Sequence, residues 1–112
     1  MKHGEIWLVD FDPSFGHEYQ KVRPALIVQS DVYISSGSLI TVIPVSSQIQ
    51  KMVTLDVFVR KDSLNRLMSD SLIKTRQISS FDRRRFIKRI GICESIVMNN
   101  LALNIKLYLN LQ

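Results

Sequence analysis

Apolar and polar positions alternate in short stretches along most of this chain, then give way to a leucine-rich run at the end. Glu5 to Phe11 is β-branched and aromatic and stops at Asp12-Pro13, which predicts a strand running into a turn with Trp7, Val9 and Phe11 on one face. A second run, Ala25 to Val28, follows Pro24; the fixed φ and missing N–H of proline set the strand's start after it and leave Arg23 at the strand mouth. Ser30 to Ser38 is polar and reads as a loop. Leu39 to Val45 is a third strand, in which Pro44 predicts an edge position or a bulge. Val53 to Arg60 is a fourth, with Leu55, Val57 and Val59 alternating with Asp56, Phe58 and Arg60.

Lys61 to Asp70 is a charged and polar loop, and Ser71 to Gln77 a fifth strand that sets Lys74 and Arg76 on one face. Ser79-Ser80-Phe81-Asp82 resembles a capped helix start, followed by Arg83-Arg84-Arg85 and a short run through Arg89, before a sixth strand at Ile90 to Cys93. Ser95 to Gln112 is long enough to favour one helix. At helical pitch Leu103 and Leu107 fall among Asn99, Asn100 and Asn110, so the helix is apolar nearly all round and is expected to pack both on its own domain and on a second subunit. Many short strands and then one helix predict a mostly β, small barrel with a C-terminal helix, a single domain over residues 1–112.

Composition narrows the partner more than the fold. No apolar run reaches the roughly 18 residues of a membrane span, the N-terminus lacks a signal-peptide pattern, and the one cysteine, Cys93, forms no intrachain disulfide. A soluble cytoplasmic protein is expected. The net charge of +5 favours an anionic partner, as Lys and Arg neutralise phosphates and release counterions.

The stretch between the first two strands carries the candidate chemistry. Gly16, His17, Glu18, Tyr19, Gln20 and Lys21 form a polar loop with aromatic punctuation, too long for a tight hairpin and suited to binding. GEIWLVDFDPS, GHE and RPALIV, in this order, resemble the start of the MazF/PemK (Kid) family of toxins. The resemblance implies a small SH3-like β-barrel and a homodimer. It also implies metal-free cleavage of single-stranded RNA (mRNA) and neutralisation by a cognate antitoxin, as in type II toxin-antitoxin systems. No cofactor is expected: His3, His17, Asp10, Asp12 and Glu18 share no recognised metal-ligand spacing.

Metal-free RNA cleavage must deprotonate the ribose 2′-OH, stabilise charge on the phosphoryl oxygens and protonate the departing 5′ oxygen, leaving 2′,3′-cyclic phosphate and 5′-OH ends. Arg23 matches the family's catalytic arginine, and its planar five-donor fork suits phosphate oxygens. Ser46 matches a position where many relatives have a catalytic threonine, with Ser47 as the neighbouring alternative. His17, in a GHE sequence like that of the Kid branch, and Glu18, matching a frequent family glutamate, are the two candidates for the base. Phe15 and Tyr19 are candidates for stacking bases, and Lys21, Ser47, Lys74, Arg76 and Gln77 for binding RNA near the cut. Arg83, Arg84 and Arg85 fit either an extended RNA track or a solvated charged face.

Two departures separate this chain from the family pattern. Tyr19, Gln20 and Lys21 stand where many relatives have Gln and Gly, and Arg76 stands where the Kid branch has a catalytic Asp. Two rival functions follow. One is a noncatalytic, protein-binding toxin of the same fold, like the gyrase poisons that act through a tryptophan on the C-terminal helix; the only tryptophan here is Trp7. The other is a degenerate relative that binds RNA or an antitoxin without cutting.

Overall fold

The structure, a computed structural model, describes residues 1–12 and 22–112. Phe15, His17, Glu18, Tyr19 and Lys21 lie outside the described residues. The strands are β1 (Glu5–Asp10), β2 (Val22–Ile27), β3 (Leu39–Ser46), β4 (Val57–Val59), β5 (Ser71–Ile73), β6 (Ser79–Asp82) and β7 (Phe86–Ile92). The helices are α1 (Asp31–Ile34) and α2 (Ser95–Tyr108). All strand pairs are antiparallel, in the order β4-β5-β3-β2-β1-β7, with β6 on β3 beside this path. The sheet curls into a barrel-like shape without closing.

Period-two alternation sorts the side chains into two cores. Ile6, Leu26, Ile43, Val45 and Ile73 face α2 and meet its Val97 and Leu101. Val9, Ala25, Ile27, Ile40 and Val42 point the other way, with Trp7 and Phe11 as the sequence predicts. Phe11 meets Phe81 edge to face at 4.9 Å between ring centres. Leu101 is 1% exposed, so truncating it to alanine is of the class that costs about 2–5 kcal/mol.

Several boundaries differ from the sequence expectation. β2 begins at Val22, with Pro24 inside it opposite Leu8; β3 pairs only from Ala25 onward, so at Pro24 the strand is an edge on that side, where a missing N–H is tolerated. Pro44 marks neither an outer edge nor a bulge. It sits where β3 hands over from β6, paired through Val42, to β5, paired from Val45. The fourth strand shrinks to Val57–Val59 because Leu55, at φ +75°, and the Asp56 N–H to Val53 carbonyl bond fold residues 53–56 into a turn. The fifth ends at Ile73, and Thr75–Gln77 is a 3-10 turn.

Ser79–Asp82 is a strand, not a helix start, and Thr41 and Ser80 join their hydroxyls across the β3–β6 pair at 2.7 Å. The Asp82 cap does exist one step later, where its carboxylate accepts the Arg84 N–H at the start of a 3-10 turn over Arg83–Arg85. β7 then starts at Phe86, four residues before the expected Ile90. α1 is one helical turn inside the expected loop, with the Ser30 hydroxyl accepting the Val32 N–H. α2 ends at Tyr108, and its outer side leaves Leu103 and Leu107 exposed. No helix among the described residues is long and apolar enough to cross a membrane.

Candidate active site

Arg23 and Ser46 lie at the same end of the β2–β3 ladder. The last register of that ladder is Ala25 opposite Pro44; Arg23 on β2 and Ser46 on β3 lie two residues beyond it, where Ser46 is opposite Leu72 of β5. On its other side Arg23 is opposite Val9 of β1. Arg23 is the second residue of β2, just after the segment 13–21 in sequence, and Ser46 is the last of β3. Ser46 is buried, and its Oγ accepts the Gln48 N–H at 3.2 Å, which turns the chain out of β3 and leaves the hydroxyl proton to donate elsewhere. Ser47, one residue beyond the end of β3, is exposed.

Arg23 and Ser47 are among the residues that line a cleft of about 680 Å³. Its lining comes from Leu8 of β1, Val22, Arg23 and Pro24 of β2, Val45 and Ser47 at the end of β3, Arg66 to Ser69 with Ser71, and Lys88 and Ile90 of β7. Leu8 stands between Pro24 and Lys88 in consecutive registers, which brings Lys88 to the cleft. Three cations, Arg23, Arg66 and Lys88, face this volume, and its described lining holds no Asp or Glu. Arg66 and Lys88 escape a sequence reading that treated 61–70 as loop and 83–89 as a helical run; the Leu8–Lys88 register is what finds the second of them.

Lys74, Arg76 and Gln77 line a second, smaller pocket of about 340 Å³ with Val53, Asp56 and Tyr108. The 3-10 turn, and not strand alternation, gathers them. Lys74 is almost fully buried and its Nζ donates to Asp56 Oδ2 at 2.6 Å, so its charge is matched inside the protein. Arg76 and Gln77 are exposed at the mouth. Asp56 Oδ2 also accepts the Val53 N–H, whereas its buried Oδ1 has no partner among the described residues.

The arginine triplet is mostly committed to the protein itself. Arg83 Nη2 donates to the carbonyls of Ile34 and, at 3.1 Å, Gly37, clamping the end of α1. Arg85 Nη1 donates to the carbonyls of Asp10 and Asp12, where β1 leads into the segment 13–21. Arg84 is exposed and binds Asp82, and that hydrogen bond holds the Asp82 carboxyl below the usual carboxylate range. On β1, burial would raise the Glu5 pKa, but hydrogen bonds from Trp7, the Lys2 N–H and Arg89 outweigh it and hold the carboxyl low. Burial, with the nearby charges of Asp62 and Glu94, pushes the Cys93 thiol up to about 12, which keeps it inert. No three His, Cys, Asp or Glu side chains cluster among the described residues.

An open, barrel-like β fold with a C-terminal helix, an arginine and a buried serine at the same end of two paired strands, and a cleft lined by cations define a small β protein equipped to meet an anionic chain. The family model for PemK-like, MazF-like toxins of type II toxin-antitoxin systems matches residues 2–109, and this chain belongs to that family. A Mycobacterium tuberculosis protein named endoribonuclease MazF9 is 33% identical over 99% of this chain and 98% of its own length. The crystal structure of MazF from Deinococcus radiodurans superposes with a TM-score of 0.82 at 22% identity, covering 99% of this chain and 97% of that one. A mycobacterial endoribonuclease in complex with its cognate antitoxin superposes at 0.79 and 13% identity, covering 100% and 97%.

Proposed function

We propose that this protein is an endoribonuclease toxin that cuts single-stranded RNA in the cytoplasm without a metal ion. The 2′-OH of the substrate attacks the adjacent phosphorus, the 5′ oxygen of the next nucleotide leaves, and the products are a 2′,3′-cyclic phosphate and a 5′-OH. The observation that carries the reading is that Arg23 and the buried Ser46 lie at the same end of the β2–β3 ladder, with Arg23 following in sequence the segment that contains His17 and Glu18.

In this arrangement Arg23 supplies a two-pronged contact to the phosphoryl oxygens as negative charge grows on them. The Ser46 hydroxyl donates a further hydrogen bond to the same oxygens, and its Gln48 bond fixes its direction. His17 or Glu18 removes the 2′-OH proton, and the departing 5′ oxygen takes a proton from the other of the two or from water. Ser47, Arg76 and Gln77 hold the strand on either side of the cut, with Lys74 braced by Asp56. The toxin acts as a homodimer that covers the leucine side of α2. A cognate antitoxin inhibits it by laying an acidic or amphipathic tail across Arg23 and Ser46.

The test uses purified protein, one single-stranded RNA and its twin carrying one 2′-deoxy residue at the cut site. Cleavage is expected to persist in excess EDTA, to yield the cyclic phosphate and 5′-OH ends, and to stop on the deoxy twin while binding stays nearly intact. A 5′-phosphate product or loss of activity on chelation replaces this mechanism with metal-assisted hydrolysis. Binding without cleavage makes the chain a degenerate relative.

A further inference from the structure

The segment between β4 and β5 is held from inside by one side chain. Asn65 is 1% exposed. Its Nδ2 donates to the Arg60 carbonyl at 2.8 Å, its Oδ1 accepts the N–H groups of Asp62 and Leu67 at 3.1 and 3.0 Å, and its own N–H donates to Asp62 Oδ1 at 2.7 Å. Leu67 is buried in the core beneath α2, and the Ile92 N–H donates to the Leu64 carbonyl at 3.1 Å, tying the segment to the end of β7. Gly91 permits that approach, since a Cβ there would lie 2.3 Å from the Asn65 carbonyl oxygen. Held between these anchors, Arg66 adopts φ +57°, a conformation that disfavours a residue with a Cβ, and Met68 is 95% exposed. An apolar side chain is thus presented to water at the wall of the cleft that Arg23, Arg66 and Lys88 line.

We propose that the Asn65–Ser69 turn is a nucleobase platform: Met68 packs its thioether against a base of single-stranded RNA lying in the Arg23 cleft, and Arg66 and Lys88 meet the phosphates that flank that base. This rests on the ribonuclease reading above and assigns its specificity element. Charge and shape name the occupant. Arg66 and Lys88, with no carboxylate in the described lining, call for a polyanion, and an exposed thioether finds its best partner in an aromatic ring. A single-stranded nucleic acid offers both, because its bases are free to splay, whereas a duplex keeps its ring faces stacked. The pinned turn adds preorganisation, so Met68 brings little ordering cost beyond its own rotamers.

The experiment reads binding and cutting separately. Affinity is measured for oligonucleotides blocked by a 2′-deoxy residue at the cut site and varied one base at a time, and cut positions are mapped on a long RNA. Met68→Ser is expected to weaken binding about tenfold and to flatten the base preference at one position beside the cut, with an unchanged melting temperature. Met68→Phe keeps the affinity and alters the preferred base at that same position. Arg66→Asn, a residue that tolerates positive φ, lowers the slope of log affinity against log salt by about 0.7. Val32→Ser, another exposed apolar side chain outside the cleft lining, behaves as wild type. A Met68→Ser protein that binds and cuts every sequence as wild type does overturns the platform and leaves the ribonuclease reading standing. A wild type that binds but never cuts overturns the ribonuclease reading, and the binding panel still decides the platform. A wild type that binds no single-stranded RNA overturns both.

Discussion

The cleft beside Arg23 and the Arg83–Arg85 turn are the two places where the chain concentrates positive charge, and they spend it differently. In the cleft, Arg66 and Lys88 make no side-chain hydrogen bond or ion pair among the described residues, and their charge faces open volume. In the turn, Arg83 and Arg85 donate to carbonyls of α1 and of the end of β1, and only Arg84 stays at the surface, already paired with Asp82. Consecutive arginines look like a nucleic-acid track, and here two of the three brace the fold. A cation's role is set by the acceptors that the fold brings to it, and backbone carbonyls tens of residues away leave no mark on local composition.

Four substitutions probe this contrast, beginning with the largest effect. Arg23→Lys keeps the charge and loses the planar fork, so turnover is expected to fall by about 10²- to 10³-fold with affinity for deoxy-blocked RNA nearly retained. Single-turnover cleavage reads it, and wild-type turnover would remove Arg23 from the chemistry. Arg83→Met strands the Ile34 and Gly37 carbonyls and is expected to lower unfolding free energy by about 1–3 kcal/mol in urea, with the salt slope of RNA binding unchanged. An unaltered midpoint with a shallower slope would turn Arg83 into an RNA contact and erase the contrast.

Lys88→Ala should do the reverse, reducing affinity several-fold and the salt slope by about 0.7 while the unfolding midpoint holds. The smallest effect belongs to Arg84→Ala. Asp82 has a folded pKa below 3.8, so its pairing contributes above that value and fades as pH falls through the lowered one. Removing Arg84 should return the Asp82 titration toward 3.8, read by NMR, with no measurable change in RNA binding. A marked loss of binding instead would restore the triplet as a track.

Regions whose physics is local are the ones legible in the sequence. β1, the core of β3 and α2 announce themselves through apolar periodicity, and the run RPALIV sets Arg23 near the start of β2. β6 was hidden because SSFD is polar, lies at the rim, and gains its ladder only from Leu39–Val42. β7 was cut short because the residues of RRRFIKRI are charged on both faces, and its pairing with β1 shifts register twice, between Ile6 and Trp7 and between Leu8 and Val9. Asp56 reads as a polar position in an alternating strand, and nothing in its neighbours tells that it meets Lys74, 18 residues on. Arg66 and Met68 vanish into a charged loop because the side chain that orders it, Asn65, does so mostly through backbone groups.

The 62–69 turn separates residues that hold from residues that present. Asp62, Asn65 and Leu67 lock it in place, and Arg66 and Met68, interleaved with them, point outward. Substitutions at 68, and at 66 by residues that tolerate positive φ, therefore change what the cleft wall offers without disturbing how the wall is supported. That separation makes the turn an evolvable part: diverging copies of such a gene can acquire new RNA targets one exposed side chain at a time, while the cutting machinery and the fold stay intact.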